Sequence, residues 1–391
     1  MAGQTVLSAR SFRFAFFLVA YYAYLGSFTP YAGLYFAARG MAPAEIGILM
    51  SLMQVTRIFG PGLWAWVADH TQRRVIVLRV TALAAFAIFS GVLLGKSFAA
   101  FFLVMFALTT CTGAQAPLAD ALMLAEMKGD LTQYGRLRLW GSVGFILAVA
   151  GGGRLLDYCD IGKMPWLSWA LLGLVSVASL CLREKPHAQI HHDAPITSMR
   201  SILRRPEVLS FFLSIFLMVA AHSALYVFYS LYLAQIGYSK TVIGLMWSLG
   251  VVAEIVFFYC QTPIFRRLGV KAVMLASLAI ACVRFLMIGY GAQSLALLLL
   301  AQVLHSVTFA GHHSASIVTM QRWFGGALQA RGQALYVSIA YGLGGSFGGL
   351  LMSFLWDEAS GRPVFLAAAL MALGGLAAAA YSYRLQQTTV R

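Results

Sequence analysis

The sequence predicts an all-α integral membrane protein with twelve transmembrane helices in two pseudo-symmetric six-helix halves. The first observation behind this prediction is composition, because 60% of the 391 residues are hydrophobic and only 10% are charged. An ordinary soluble domain has a charged fraction of roughly 25%. The second observation is a series of apolar runs of membrane-spanning length, and the third is an internal repeat that relates the two halves.

Twelve apolar runs are long enough to cross a bilayer as helices. The predicted spans cover residues 12–38, 44–68, 75–95, 98–125, 135–156, 164–182, 207–236, 240–265, 270–290, 295–321, 333–356 and 363–384. The polar segment at 183–206 separates six spans from six. We therefore expect an N-terminal half at 1–182, a cytoplasmic linker at 183–206 and a C-terminal half at 207–391. The first run is too long for the core of a signal peptide and is expected to be retained as a helix.

Basic residues predict the side of the membrane on which each loop lies. Most of the 28 Lys and Arg residues occur in the termini and in alternate loops. The other loops hold Arg39, Lys96, Arg154, Lys163, Lys240 and Arg362. Since cytoplasmic loops carry such an excess, both termini are expected in the cytoplasm. The expected location of the protein is a bacterial inner (cytoplasmic) membrane. This placement accounts for the net charge of +15 without nucleic acid as a partner.

The internal repeat has an offset of 197 residues. Ile46-Gly47 corresponds to Ile243-Gly244 at this offset. Glycines of the fifth span recur in or next to the eleventh, since Gly135, Gly151 and Gly152 correspond to Gly332, Gly348 and Gly349. Glu254 corresponds to Arg57, so two related spans carry opposite charges at one depth. Parallel six-helix repeats with a site near the bilayer midplane are the layout of the major facilitator superfamily.

Short motifs add a closer resemblance. The loop after the second span keeps Asp69, Arg73 and Arg74 of that superfamily's cytoplasmic signature. More specific motifs are Pro117-Leu118-Ala119-Asp120-Ala121, Tyr134-Gly135-Arg136-Leu137-Arg138-Leu139-Trp140-Gly141-Ser142 and His305-x-x-x-Phe309-x-x-x-His313. Together with Glu254 and Arg284, they resemble the phenylpropionate permease family and, more distantly, the lactose and nucleoside permeases. The resemblance implies a proton-driven importer of a small aromatic carboxylate.

Proton coupling is expected to involve three ionisable residues in the apolar spans. Glu254 lies about midway between Lys240 and Arg266, near the bilayer midplane, where a charged group is normally retained for function. It is a candidate proton carrier, and the alternative is a structural ion pair. His222, midway along span 7, titrates near neutrality and could share the proton or only pack. Arg284 is expected to form a salt bridge to a neighbouring helix, and the resemblance to lactose permease implies a part in coupling.

Arg57 is the candidate residue for binding a substrate carboxylate. It lies at mid-depth between Glu45 and Asp69, and a guanidinium there needs an anion. Its partner is either the substrate or a protein acid. Elsewhere, Asp120 near the cytoplasmic end of span 4 is expected to order an inner gate. The other gate candidates are Asp69, Arg73, Arg74, Arg136 and Arg138.

Polar and aromatic residues of other spans complete the predicted substrate site. Span 10 carries a polar stripe at helical spacing, formed by Gln302, His305, Phe309, His312 and Ser316, and His313 is the neighbour of His312. The two adjacent histidines point about 100° apart, so both cannot face the centre of one cavity. Further candidates, some of which could stack on an aromatic ring, are Tyr24, Tyr31, Gln115, Tyr226 and Trp247. Without accompanying acidic or thiol ligands, the histidines do not predict a metal site.

The predicted function is proton-coupled import of a small aromatic carboxylate by alternating access. The alternatives are a proton-coupled sugar or nucleoside symporter and, third, a drug-efflux antiporter. An enzyme is not expected, because the phosphate-loop-like Gly91-Val92-Leu93-Leu94-Gly95-Lys96-Ser97 is one residue short and lies outside a strand-to-helix turn. No cofactor is expected. The expected partners are a small-molecule substrate, the proton and the lipid bilayer, and the protein is expected to act as a monomer.

Overall fold

The computed structural model describes residues 9–127, 130–184, 199–356 and 360–389. Most of the predicted linker, residues 185–198, and the extreme termini lie outside the described residues. Sixteen α-helices follow one another along these described residues. They are α1 Ala9–Ala38, α2 Pro43–Thr71, α3 Arg74–Leu94, α4 Phe98–Thr112, α5 Gln115–Glu126, α6 Leu131–Tyr158, α7 Met164–Cys181, α8 Met199–Leu203, α9 Pro206–Ser223, α10 Tyr229–Gln235, α11 Lys240–Gly291, α12 Leu295–Ser306, α13 His312–Trp323, α14 Gln329–Tyr336, α15 Gly345–Leu355 and α16 Arg362–Thr389.

The described chain is nearly all helical and contains ten helical stretches that are long and apolar enough to cross a membrane. One of them, α11, has 52 residues and is interrupted at Gly269, whose φ of 77° and ψ of 161° are not helical. A glycine tolerates this left-handed backbone because it lacks a Cβ atom. The thirty-residue helix α1 lies outside that set of ten. The predicted all-α membrane architecture is confirmed, whereas the count of twelve spans stays a prediction.

Short π-helical segments interrupt the helices of the second half. They connect α9 to α10 at Ala224–Phe228, α12 to α13 at Val307–Gly311, and α14 to α15 at Val337–Gly344. A π segment closes hydrogen bonds one residue further along the chain than an α-helix does, and such segments are frequent at functional sites. Each of these three segments changes the direction in which the following side chains point.

Contacts between Cα atoms divide the chain into two compact units. Unit 1 comprises Met1–Ala42, Phe59–His187 and Ser239–Ser248. Unit 2 comprises Pro43–Ile58, Ala188–Tyr238 and Leu249–Arg391. The first part of α2 therefore belongs to unit 2, and the first part of α11 belongs to unit 1.

Glycines allow these two helix starts to pack closely. In unit 2, a Cβ atom at Gly47 of α2 would meet the side chain of Ser353 on α15. In unit 1, a Cβ atom at Gly244 of α11 would meet the Val149 carbonyl of α6 and the Tyr31 hydroxyl of α1. Gly47 and Gly244, which correspond in the repeat, therefore have the same role in different units. Each lacks a side chain and so allows a neighbouring helix to pack closely against its backbone.

Candidate functional site

A carboxylate and an imidazole meet inside unit 2. Glu254 Oε1 on α11 lies 2.9 Å from His305 Nε2 on α12, with 18% and 7% of the two side chains exposed. The helices approach because Gly250 lies one turn before Glu254, where even a Cβ atom would be 3.2 Å from Gln302 Oε1. Proton transfer between side chains requires heavy-atom distances of about 2.6–3.2 Å. The Glu254–His305 pair therefore has the geometry of a proton donor and acceptor.

A guanidinium group lies buried beside this pair. The Arg284 side chain is fully buried; its Nε donates to the Ala301 carbonyl at 2.8 Å and its Nη1 to Thr308 Oγ1 at 3.4 Å. Arg284 and Glu254 interact electrostatically. The described contacts of Arg284 are thus a backbone carbonyl, a hydroxyl and the Phe285 ring, whose centre lies 5.4 Å from the guanidinium carbon. The charge of Arg284 acts on Glu254 through space.

His222 provides a second imidazole at the C-terminal end of α9, just before the π segment Ala224–Phe228. Its ring centre lies 5.8 Å from that of His305, and its Nδ1 is 2.9 Å from the Met218 carbonyl of its own helix. Since a carbonyl oxygen only accepts, this contact places the proton on Nδ1 when the ring is neutral. His222 Nε2 is buried without a hydrogen-bond partner in the described part of the chain.

Three stacked rings lead away from the carboxylate along α12 and α13. The Phe309 ring lies 5.5 Å from that of His305 and 6.4 Å from that of His313, nearly parallel to both. His313 Nδ1 is 3.1 Å from the Tyr336 hydroxyl and 3.4 Å from the Tyr341 hydroxyl. These contacts connect the Glu254 pair to two tyrosines through a continuous set of aromatic side chains.

Arg57, in the first part of α2, also contacts these residues. We call the whole set the cluster of unit 2; it comprises Arg57, His222, Tyr226, Glu254, Arg284, His305, Phe309, His312, His313, Tyr336 and Tyr341. Its guanidinium carbon lies 5.7 Å from the centre of the Tyr341 ring, within the range of a cation–π contact. The glycines of α15 allow α2 to approach, since a Cβ atom at Gly345 would be 2.9 Å from the Gln54 side chain. Among the described residues, no carboxylate forms an ion pair with Arg57. The exposed Arg57 side chain therefore contacts an aromatic face rather than a protein acid.

The cluster has a buried side and an accessible side. His222, Arg284, His305, His312 and Tyr336 are buried. By contrast, the residues that retain partial or larger exposure are Arg57, Tyr226, Glu254, Phe309, His313 and Tyr341. This exposed set offers one cation, one carboxylate, one imidazole and three aromatic rings to a small solute.

His312 and His313 point in different directions, as their spacing on a helix requires. His313 reaches the Tyr336 hydroxyl, whereas the buried His312 Nε2 finds no hydrogen-bond partner among the described residues. In the part of the chain that the structure describes, no group of three His, Cys, Asp or Glu side chains could hold a metal ion.

Four of the predicted substrate residues belong to unit 1. The Tyr24 ring is buried against Phe28 and Phe89. Tyr31 donates to the Val149 carbonyl at 2.6 Å and is fully buried. Gln115 and Trp247 are also buried. The described contacts of Tyr24 and Tyr31 are helix-packing contacts, and their role in binding substrate stays a prediction.

The predicted gate residues lie at the surface of unit 1. Asp69 and Arg74 are 3.8 Å apart and both accessible, and Arg73 and Arg136 are exposed. Asp120 on α5 lies 3.5 Å from Arg138 on α6. The Arg138 guanidinium also covers the ring of Tyr22, at 4.6 Å from its centre. Asp120 and Arg138 thus tie two helices of one unit together.

Tyr336 and Tyr341 are site residues that sequence reasoning missed. They are five residues apart, a spacing that on a regular α-helix separates two side chains by about 140°. Their rings are 5.9 Å apart, because the π segment Val337–Gly344 rotates the backbone between them. The available sequence signal is the glycine-rich stretch from Gly342 to Gly349, and by itself such a stretch indicates only close helix packing.

Comparison with known proteins places the chain in a family. A family model described as the MFS_1 like family matches residues 11–367. A probable 3-phenylpropionic acid transporter of Escherichia coli strain K12 is 30% identical over 362 residues, which cover 90% of this chain and 93% of that protein. A maltose permease of Geobacillus stearothermophilus is 26% identical over 351 residues, covering 88% of this chain and 86% of that protein.

A solved structure agrees with the family assignment at the level of the fold. The crystal structure of the nucleoside transporter NupG matches with a TM-score of 0.85 at 18% identity, covering 95% of this chain and 98% of that chain. The resemblance seen in the sequence motifs is confirmed, and these relatives are transporters or permeases by name rather than enzymes. The chain belongs to the MFS_1 like family and is a multi-pass membrane transporter of the major facilitator superfamily.

Proposed function

We propose that this transporter imports a small aromatic carboxylate together with protons. The observation that carries the proposal is the 2.9 Å contact between Glu254 and His305 in the same unit as Arg57, whose guanidinium has no carboxylate partner among the described residues. A symporter needs one group that changes its protonation state and another that recognises the cargo. The cluster of unit 2 contains candidates for both.

Glu254 is the proposed proton carrier. The membrane interior penalises its charged form, so loading a proton onto Glu254 removes a charge during the passage across the bilayer. His305 stands at hydrogen-bonding distance and can hold the proton or pass it on. Arg284 supplies a fixed positive charge that favours the release of the proton again. These three residues form the proposed coupling group, with His222 as its neighbour.

Arg57 is the proposed recognition group for the carboxylate. A guanidinium can pair with a carboxylate through two parallel hydrogen bonds. The partly exposed rings of Phe309 and Tyr341 offer faces on which an aromatic ring of the substrate can stack. The name of the relative that is 30% identical supports this chemistry, because 3-phenylpropionic acid combines a phenyl ring with a carboxylate.

The second candidate is a proton-coupled sugar or nucleoside symporter. Two relatives by sequence or structure are a maltose permease and a nucleoside transporter. The cluster also presents polar groups that suit a neutral, hydroxyl-rich solute, in particular His313 and the hydroxyls of Tyr226 and Tyr341. Under this alternative, Arg57 would donate hydrogen bonds to hydroxyl or base oxygens.

Purified protein in liposomes under an imposed proton gradient distinguishes the two. We expect uptake of 3-phenylpropionate to exceed that of maltose and nucleosides, and the amide of the same acid to compete poorly. Arg57→Lys keeps the positive charge but loses the paired N–H donors of the guanidinium. Affinity for the acid should therefore fall roughly tenfold, as for a lost hydrogen bond to a charged group. Arg39→Lys, which alters an arginine that donates to the Gly95 carbonyl, is the matched control. Equal affinity for acid and amide would favour the neutral solute.

The proposal includes topology and organisation. We propose a bacterial inner-membrane location, cytoplasmic termini, action as a monomer, and two six-helix halves, 1–182 and 207–391, that move in alternating access. Reporter fusions in the 183–206 linker and at the C-terminus should both report the cytoplasm. Opposite sides for the two fusions would contradict the arrangement.

A further inference from the structure

A basic cavity of about 600 Å³ lies in unit 1 where α2 ends, α3 begins and α7 ends. Six charged residues line it, namely Asp69, Arg73, Arg74, Arg79, Arg183 and Glu184. The lining therefore contains four guanidinium groups and two carboxylates. The excess of positive charge at the end of a helix layer makes an anion the expected occupant.

Most of these charges already have protein partners. Arg79 donates to the carbonyls of Leu180 and Leu182 at 3.1 and 2.6 Å, which satisfies the exposed end of α7. Glu184 accepts a hydrogen bond from the Val75 N–H at 3.1 Å, in the first turn of α3. Arg74 lies 3.8 Å from Asp69.

Arg73 and Arg183 are the two remaining cations. Both side chains are exposed at the cavity, and within the described residues neither forms an ion pair with a carboxylate. Two such guanidinium groups lining one cavity suit the oxygens of a phosphate group, which arginine binds through parallel hydrogen bonds.

An exposed apolar surface continues from the cavity along the outside of the helices. Ile76 lines the cavity and is 45% exposed, and Val80 and Leu83 follow on the same face of α3 with 53% and 45% exposure. Val177 and Leu180 at the end of α7 are similarly exposed. In a membrane-spanning helix, such a surface faces acyl chains. The cavity is therefore polar at its centre and lipid-facing at its edge.

We infer that this cavity binds an anionic phospholipid, with the phosphate group held by Arg73 and Arg183 and an acyl chain lying along Ile76, Val80 and Leu83. Basic pockets between transmembrane helices bind lipid head groups in this way. A free phosphate ion would satisfy the arginines equally well, but it would leave the apolar surface unused. The inference rests on membrane insertion and does not depend on which substrate is carried.

Lipid retention tests the inference directly. Protein purified in detergent is incubated with phosphatidylglycerol or with phosphatidylethanolamine of the same acyl chains, and bound lipid is counted by native mass spectrometry. We expect phosphatidylglycerol to be retained at least about fivefold better, since it lacks the ammonium group that neutralises phosphatidylethanolamine. Inorganic phosphate and glycerol 3-phosphate are added as competitors without acyl chains, and they should displace little of the lipid.

Variants locate the site. R73Q/R183Q should lose most of the preference for phosphatidylglycerol, and R73K/R183K should keep part of it because the charges remain. R266Q/R267Q removes two exposed arginines of α11 in unit 2 and is the matched control. Val80→Ser with Leu83→Ser should weaken retention of the lipid without changing binding of phosphate. Equal retention of the two lipids, an unchanged preference in monodisperse R73Q/R183Q, or full displacement by inorganic phosphate would each overturn the inference.

Discussion

The two units bury different kinds of polar group. In unit 2, Glu254 contacts His305, and the fully buried Arg284 interacts electrostatically with Glu254. Unit 1 buries neutral groups, such as the Ser27 and Ser168 hydroxyls, 2.9 Å apart, and the amide of Gln115. Its ion pairs Asp120–Arg138 and Asp157–Lys240 retain solvent exposure. The internal repeat therefore reproduces the helical scaffold, while the titratable chemistry is concentrated in one unit.

The repeat-related charges illustrate this difference most clearly. Glu254 and Arg57 correspond at the offset of 197 residues, yet both belong to unit 2. This occurs because the first part of α2, which ends at Ile58, packs with unit 2. One unit thus contains both the acid and the base of the repeat, as the proposed coupled site requires.

The largest expected effect is on coupling in unit 2. Glu254→Gln should abolish uphill accumulation but preserve downhill exchange, because an amide resembles the protonated acid and cannot release a proton. The measurement compares accumulation under a proton gradient with counterflow in liposomes. Glu126→Gln, at the end of α5 in unit 1, should keep accumulation. Normal accumulation by Glu254→Gln, or an equal loss of accumulation in both variants, would contradict the assignment of coupling to unit 2.

The next effect concerns the buried guanidinium of unit 2. Arg284→Lys should destabilise the protein by about 2 kcal/mol, because an ammonium group cannot reach both the Ala301 carbonyl and Thr308. Thermal unfolding in detergent measures the change. Arg154→Lys alters an exposed arginine of unit 1 and should unfold near the wild-type temperature. Equal melting temperatures for the two variants would show that burial of Arg284 carries no stability.

The third effect concerns the close helix packing of unit 1. Gly153→Ala would place a Cβ atom 2.5 Å from the Tyr31 hydroxyl and against the Lys240 carbonyl, so we expect destabilisation by about 1–3 kcal/mol. Gly151→Ala, two residues earlier on α6, meets open space and serves as the control. Both are measured by thermal unfolding. If the two alanines behaved alike, the close approach of α6 to α11 would not limit stability.

The smallest effect is expected at the junction of α6 and α11. Asp157 accepts hydrogen bonds from the backbone N–H groups of Lys240 and Thr241, each at 2.8 Å. Asp157→Asn keeps one accepting oxygen and should lower stability by about 1 kcal/mol. Asp160→Asn is the control, since its single bond to the Gly162 N–H needs only one oxygen. A larger loss for Asp160→Asn would contradict this account in thermal unfolding.

Sequence reasoning predicted the fold class and family because both depend on local properties. Apolar runs of sufficient length indicate membrane helices, and the motifs around Asp120, Arg138 and His305 carry the family resemblance. Glu254, Arg57 and Arg284 became candidates because each is a charged residue in an apolar segment, and this can be recognised from the linear sequence alone.

Pairing between those candidates was decided by the tertiary structure. Glu254 meets His305 because Gly250 brings α11 against α12, and Tyr341 meets both Arg57 and His313 because a π segment turns it. Tyr24 and Tyr31 carry the same aromatic signal as Tyr341 but pack inside unit 1. The sequence determined which residues are ionisable and predicted their depth in the membrane. Only helix packing decided which of them touch, because contact depends on the rotation and approach of helices that are far apart along the chain.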